Sequence, residues 1–234
     1  GINIIKRNRV WSYYESRKME LFQKSAKERI DHRIKNKIGS EALNTAFDKY
    51  YAGLYDLSRN RMGAIAARLA EIESLIPKAV DEQEAAFMRE SHYHLAAEML
   101  LAQGKVDEAL AEHQKIARQN IGFTNLAFIV TVTSLNLPFR DDFVARAMIA
   151  KGDKDKAIAE YERILQPINT KNHLAHPLAR FRLARLYEEK GLRSEAIEQY
   201  QRVVRIWKDA DPDLEEAQIA RRRLIALQSV SYTH

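Results

Sequence analysis

An all-α fold of stacked helical hairpins is predicted by three observations. The first is composition: among 234 residues there are only eight Gly and five Pro, too few for the turns of a β-rich chain of this size. The good or tolerable helix formers Ala, Leu, Ile, Glu, Lys and Arg dominate instead. The second is repetition. The segments from Ala97 to His113, from Ala145 to Tyr161 and from Ala184 to Tyr200 align without gaps, and internal repeats outrank every other fold signal. The third is periodicity: Ile158, Tyr161, Ile164 and Leu165, and then Ile197, Tyr200, Val203 and Val204, form helical stripes.

Each aligned segment places Ala first, Gly seven residues on, Ala five further and His or Tyr four further. That order describes a helical hairpin. Gly104, Gly152 and Gly191 end the first helix, where a left-handed residue is cheapest without a Cβ. The paired Ala residues let two helix backbones approach to roughly 8–10 Å. His113, Tyr161 or Tyr200 then fills the seam one helical turn later.

From the N-terminus, residues 1–40 read as a basic helical segment. Tyr14, Phe22, Ala26, Ile30, Ile34 and Ile38 form its stripe, Arg and Lys fill its other faces, and Gly39-Ser40 interrupts it. A solenoid over 41–228 follows, with helical pairs near 42–77, 83–120, 138–167 and 175–208. The first pair is degenerate; Asn60 stands where its helix should end and Pro77 closes it. Between the second and third pairs lies an uncharged insertion, 121–137, read as an extra helix between repeats or as the wall of a hydrophobic pocket. Asp213 is placed to cap a last helix over 213–228, which would cover the open end of the stack. Residues 229–234 read as a disordered tail. The chain begins at Gly1 rather than Met, as a processed or excised product would.

The three segments resemble the tetratricopeptide repeat (TPR) family. Ala97, Ala145 and Ala184 match its small residue at repeat position 8, the three Gly match position 15 and Ala109, Ala157 and Ala196 match position 20. Tyr161 and Tyr200 match the aromatic at 24, whereas His113 departs. At position 4 only Tyr93 supplies the usual aromatic; Asp141 and Arg180 depart. The spacing also departs, with 48 residues from Gly104 to Gly152 and 39 from Gly152 to Gly191, against about 34 in the family. The third repeat, with the sequence from Trp207 to Leu214, is similar to the last TPR of multidomain bacterial signalling proteins. The resemblance implies a right-handed α-solenoid of TPR-like hairpins and non-catalytic binding of a peptide or protein segment in a concave groove.

By the same resemblance the groove is lined by Ser91, His94, Glu98 and Leu101, by Phe139, Asp142, Arg146 and Ile149, and by Leu178, Phe181, Arg185 and Glu188, with Arg182 close by. Arg146 and Arg185 share one repeat position and could fork onto a partner carboxylate, or pair within the repeats with Asp142 and Glu188. The Lys and Asn of the family's chaperone-tail clamp are absent from the corresponding positions, so chaperone C-terminal tails are not the expected ligand.

Composition narrows the remaining function classes. With no Cys, a disulfide framework, a thiolate metal site and a Cys nucleophile are excluded. His92 and His94 would lie about 200° apart on a helix, and His173 and His176 lack a carboxylate cluster, so no metal or cofactor is expected. No phosphate-binding, dinucleotide or nucleophile-elbow motif occurs, and an enzyme is not expected. Residues 1–45 hold eleven Lys and Arg against five Asp and Glu, an excess of six that equals the net charge of the whole chain, so the remainder is neutral. Three roles are open for that basic segment: packing beneath the first repeat, attraction to an anionic membrane surface through residues 1–39, and, as the least expected, nucleic-acid contact by Trp11, Tyr13 and Tyr14. Residues 121–139 are too polar for the roughly 20-residue apolar span a membrane helix needs. A cytoplasmic location is expected, with a periplasmic or membrane-associated one as the alternative.

Overall fold

A computed structural model describes Tyr14 and residues 18–117, 142–166, 177–210 and 212–229. The insertion at 121–137, Phe139, His173, His176, the aromatics Trp11 and Tyr13 and the tail at 230–234 lie outside them. The described residues form ten α-helices and no strand. They divide into two compact units, Gly1–Asn136 and Leu137–His234. The first holds α1 (Met19–Lys35), α2 (Glu41–Ser58), α3 (Met62–Leu75), α4 (Glu82–Ala102) and α5 (Val106–Ala117). The second holds α6 (Phe143–Ala150), α7 (Lys154–Ile164), α8 (Pro177–Glu189), α9 (Arg193–Ile206) and α10 (Glu215–Ser229).

The hairpins α2–α3, α4–α5, α6–α7 and α8–α9 close with one turn. Its central residue is left-handed, with φ +55° at Asn60, +76° at Gly104, +79° at Gly152 and +75° at Gly191. The N–H of that residue donates to the carbonyl three residues back, and the next N–H reaches the carbonyl five back: Arg61 to Asp56, Lys105 to Leu100, Asp153 to Met148 and Leu192 to Tyr187, at 2.8–3.0 Å. Orphan carbonyls at the helix end are thereby satisfied, and the backbone reverses into the next helix. The crossing residues Ala97, Ala109, Ala145, Ala157, Ala184 and Ala196 are all fully buried, which matches their role of letting backbones close in.

In the first unit α2 packs on both α3 and α4, and α1 packs on α2. Met19, Phe22, Ala26 and Ile30 turn inward, with Phe22 edge-on to Tyr51 at 6.1 Å between ring centroids, so this stripe of the basic segment serves the core. Ile34 stays exposed. Arg33 departs from the expectation that basic side chains fill the outer faces: it is buried, donates from Nε to Asn44 Oδ1 at 2.6 Å and lies 5.3 Å from the Phe47 ring centroid. Burial, then the like charge of Arg29, push its pKa down to about 10, while the Tyr51 hydroxyl and Glu84 carboxyl oppose the shift.

Ser40 fixes the start of α2. Its Oγ accepts from Leu43 N at 3.1 Å and donates to Glu84 Oε2 at 2.5 Å, while its own N–H donates to Glu84 Oε1 at 2.8 Å. A helix cap and a tie to α4 therefore share one hydroxyl. Ser40→Ala is expected to cost about 2 kcal/mol, the upper part of the range for cap loss, because a buried carboxylate also loses a donor. Urea unfolding measures it; Ser40→Thr should recover most of the loss, and a cost below about 0.5 kcal/mol would show the tie to be idle.

In the second unit Tyr161 and Tyr200 are fully buried in one core with Phe181, Leu183, Leu186 and Val203. Helix α10 starts at Glu215, two residues after Asp213, and it is the Leu214 carbonyl that accepts from Gln218 N at 3.2 Å. It packs on α9. From α10, Arg221 donates to the Trp207 carbonyl at 2.9 Å and Arg223 pairs with Glu188.

Candidate partner-binding surface

The two units present their candidate residues separately. On α4, in the first unit, Ser91, His94 and Glu98 are buried and Leu101 is half-buried. The Tyr50 hydroxyl of α2 lies 2.9 Å from His94 Nδ1, and His94 Nε2 lies 3.4 Å from Glu98 Oε1. These side chains form a buried polar network between α2 and α4 rather than an open surface, because α2 packs over that face of α4.

In the second unit the structure gathers Asp142, Arg146 and Arg182 around one buried carboxylate. Arg146 Nε donates to Asp142 Oδ1 at 2.7 Å, one helical turn away, and Arg182 Nη1 from α8 donates to Oδ2. Tyr161 borders this cluster; burial and then the Asp142 charge push its hydroxyl pKa up, so it stays protonated. The cluster ties the start of α6 to α8. It fits the within-repeat pairing that the spacing of Asp142 and Arg146 allows.

The remaining candidates divide by exposure. Leu178 and Phe181 are core residues, Phe181 packing edge-on to Tyr200 at 6.2 Å between centroids. Glu188 accepts from the Tyr200 hydroxyl at 3.0 Å and pairs with Arg223, tying α8 to α9 and α10. Ile149 is exposed. The Arg185 side chain is 58% exposed, and its nearest carboxylate is Glu189 of its own helix, at 3.9 Å. Such a pair is too loose and too wet to hold the guanidinium in place.

A cavity of about 440 Å³ also opens among α7, α8 and α9, lined on α8 by Arg180, Leu183 and Tyr187. The groove positions do not include it. Its signal in the sequence is Arg180, a cation where the repeat pattern carries an aromatic. Among the described residues no group of His, Asp and Glu is arranged to hold a metal ion, and no helix is long and apolar enough to cross a membrane.

Four hairpins closed by one turn, three of them with a buried Ala on each helix at the crossing, define a helical-repeat protein. Residues 178–210 match the tetratricopeptide repeat family model. The protein is thus TPR-like, and its third aligned segment is the one matched. Among the curated proteins and the solved structures none matches it.

Proposed function

We propose that the protein is a non-catalytic recognition module that seats a peptide or protein segment on the face of α8 marked by Arg185. TPR repeats generally mediate protein–protein interaction. The observation that carries the finer reading is the state of Arg185: an exposed guanidinium with one loose pair, on the helix face shared with Glu188. A planar fork of this kind suits a partner carboxylate, and Arg is enriched where interfaces concentrate their energy. Ile149 supplies an exposed apolar contact on α6 of the same unit. His94 and Glu98 of α4 belong to the buried network of the first unit, and in the second unit Asp142, Arg146 and Arg182 hold the helices that present the surface.

Arg185→Glu tests the proposal. The partner recovered with the wild-type protein should bind this variant at least about tenfold more weakly, a loss near 1.4 kcal/mol. Unfolding should be almost unchanged, since the side chain is exposed. Undiminished binding would remove Arg185 and its face from the interaction. Arg146→Glu is the poorer probe, because it would set a second carboxylate against buried Asp142.

A further inference from the structure

The cavity among α7, α8 and α9 lies on a different side of α8 from Arg185. At about 100° per residue, Arg180, Leu183 and Tyr187 share one face, and Phe181, Arg185 and Glu188 share another, well over a quarter turn away. Leu165, just beyond α7, and Leu183 give the cavity apolar walls. Gln199 and Arg202 of α9 stand at its cationic end with Arg180. At the other end the Tyr187 hydroxyl donates to Glu162 Oε1 at 2.6 Å. Arg180 and Tyr187 are seven residues apart on α8, which separates the two ends by roughly 10 Å along the helix.

Arg180 is the unusual group. It is half-buried, and Nη1 donates to a neutral acceptor, Gln199 Oε1, at 3.1 Å. No carboxylate among the described residues lies within ion-pair distance of it, whereas its neighbour Arg202 is paired with Glu198 at 2.6 Å. Burial, then the like charge of Arg202, hold the Arg180 pKa below the ordinary arginine value, with the more distant Glu198 carboxylate opposing the shift. An arriving anion would relieve both penalties. The Gln199 amide nitrogen is placed to add a donor, since its oxygen is already used by Arg180.

We propose that this cavity is a second recognition site, which takes a peptide carboxylate on the Arg180 fork with the Gln199 amide beside it. The carboxylate is an Asp or Glu side chain or the free C-terminus of a peptide. The cavity volume falls within the range of roughly 300–1,000 Å³ that suits small ligands and side chains. Charge favours a monoanion over a dianion. Arg180 and Arg202 balance Glu162 and Glu198, so a monoanion leaves one negative charge in excess and a phosphate dianion two. The leucine walls favour an apolar residue next to the acid. This site does not rest on the Arg185 surface, and either can fail alone.

The Arg180 Nε–Hε resonance of the whole protein reports occupancy directly. Three tetrapeptide probes are titrated: acetyl-Ala-Glu-Leu-Ala-amide, its Gln counterpart, and acetyl-Ala-Ala-Leu-Ala with a free C-terminal carboxylate. Inorganic phosphate is the fourth. The expected result is saturable movement with at least one carboxylate probe, the tighter of the two identifying the source, and about tenfold weaker or no response to the Gln peptide and to phosphate. Arg185→Glu should leave this binding unchanged. Binding to Arg180→Gln and Arg180→Lys, which lack that guanidinium resonance, is read by isothermal titration calorimetry: Arg180→Gln should abolish it, and Arg180→Lys, which keeps the charge but not the fork, should weaken it about tenfold. The proposal is overturned if neither carboxylate probe moves the resonance, if the Gln peptide or phosphate binds as well, or if a folded Arg180→Gln variant binds undiminished. Should Arg180→Gln fail to fold, undiminished binding by Arg180→Lys overturns it equally.

Discussion

Asp142→Ala is expected to destabilise the second unit by about 3 kcal/mol, at the lower edge of the range for breaking a buried ion pair. Its carboxylate is almost wholly buried and holds two guanidinium groups, Arg146 from its own helix and Arg182 from α8. Removing it leaves two like charges facing each other without a counterion. Both Arg side chains keep some exposure, 20% and 25%, so water recovers part of the loss and the upper end of the range is not reached. The midpoint of urea unfolding checks the figure, with the slope unchanged if the native state stays compact. Asp142→Ala combined with Arg182→Met should recover most of the stability, because an apolar replacement no longer needs the carboxylate. A single-mutant cost below about 1 kcal/mol would place the cluster among ordinary surface pairs.

How far the sequence reaches depends on the range of the interactions involved. The hairpins are legible because their determinants are local. A left-handed Gly, a small residue on each helix and a ring one turn later lie within a single 17-residue window around Gly104, Gly152 and Gly191, and the six Ala residues there are all buried; around Asn60 the left-handed turn is kept, with Ile65 and Leu69 where the second helix's small residue and the ring would stand. Which way the first helix of each pair faces is much less legible. Glu98 and Asp142 read as groove residues through their repeat positions. Their surroundings are decided by partners far away in the sequence, Tyr50 acting on the α4 cluster through His94, 44 residues away, and Arg182 holding Asp142, 40 residues away. No periodicity encodes such pairs. Arg33 shows the same limit, since its inward turn depends on Asn44 and on Glu84 of α4. The cavity beside Arg180 lies between these cases: the missing aromatic is visible in the sequence, but the space it leaves is a property of three helices together.

A close helix contact in the first unit gives the other large effect. Gly53 of α2 is buried against Leu95 of α4, and a Cβ added there would lie 2.4 Å from Leu95 Cδ2, 3.0 Å from Cδ1 and 3.3 Å from Cγ. Leu95 is itself fully buried, so it cannot swing clear without displacing its neighbours. Gly53→Ala therefore sets a gain of up to about 1 kcal/mol in helix propensity against an overpacking cost of about 1–3 kcal/mol. Gly53→Leu adds more volume than the gap can take and is expected to cost at least about 3 kcal/mol. Leu95→Ala alone should cost about 2–5 kcal/mol, because it empties the same space. The two together exchange a large and a small side chain across one contact. The double variant should then be more stable than the sum of the single losses by at least about 1 kcal/mol. Strict additivity in that cycle would mean that the α2–α4 crossing is not set by this pair.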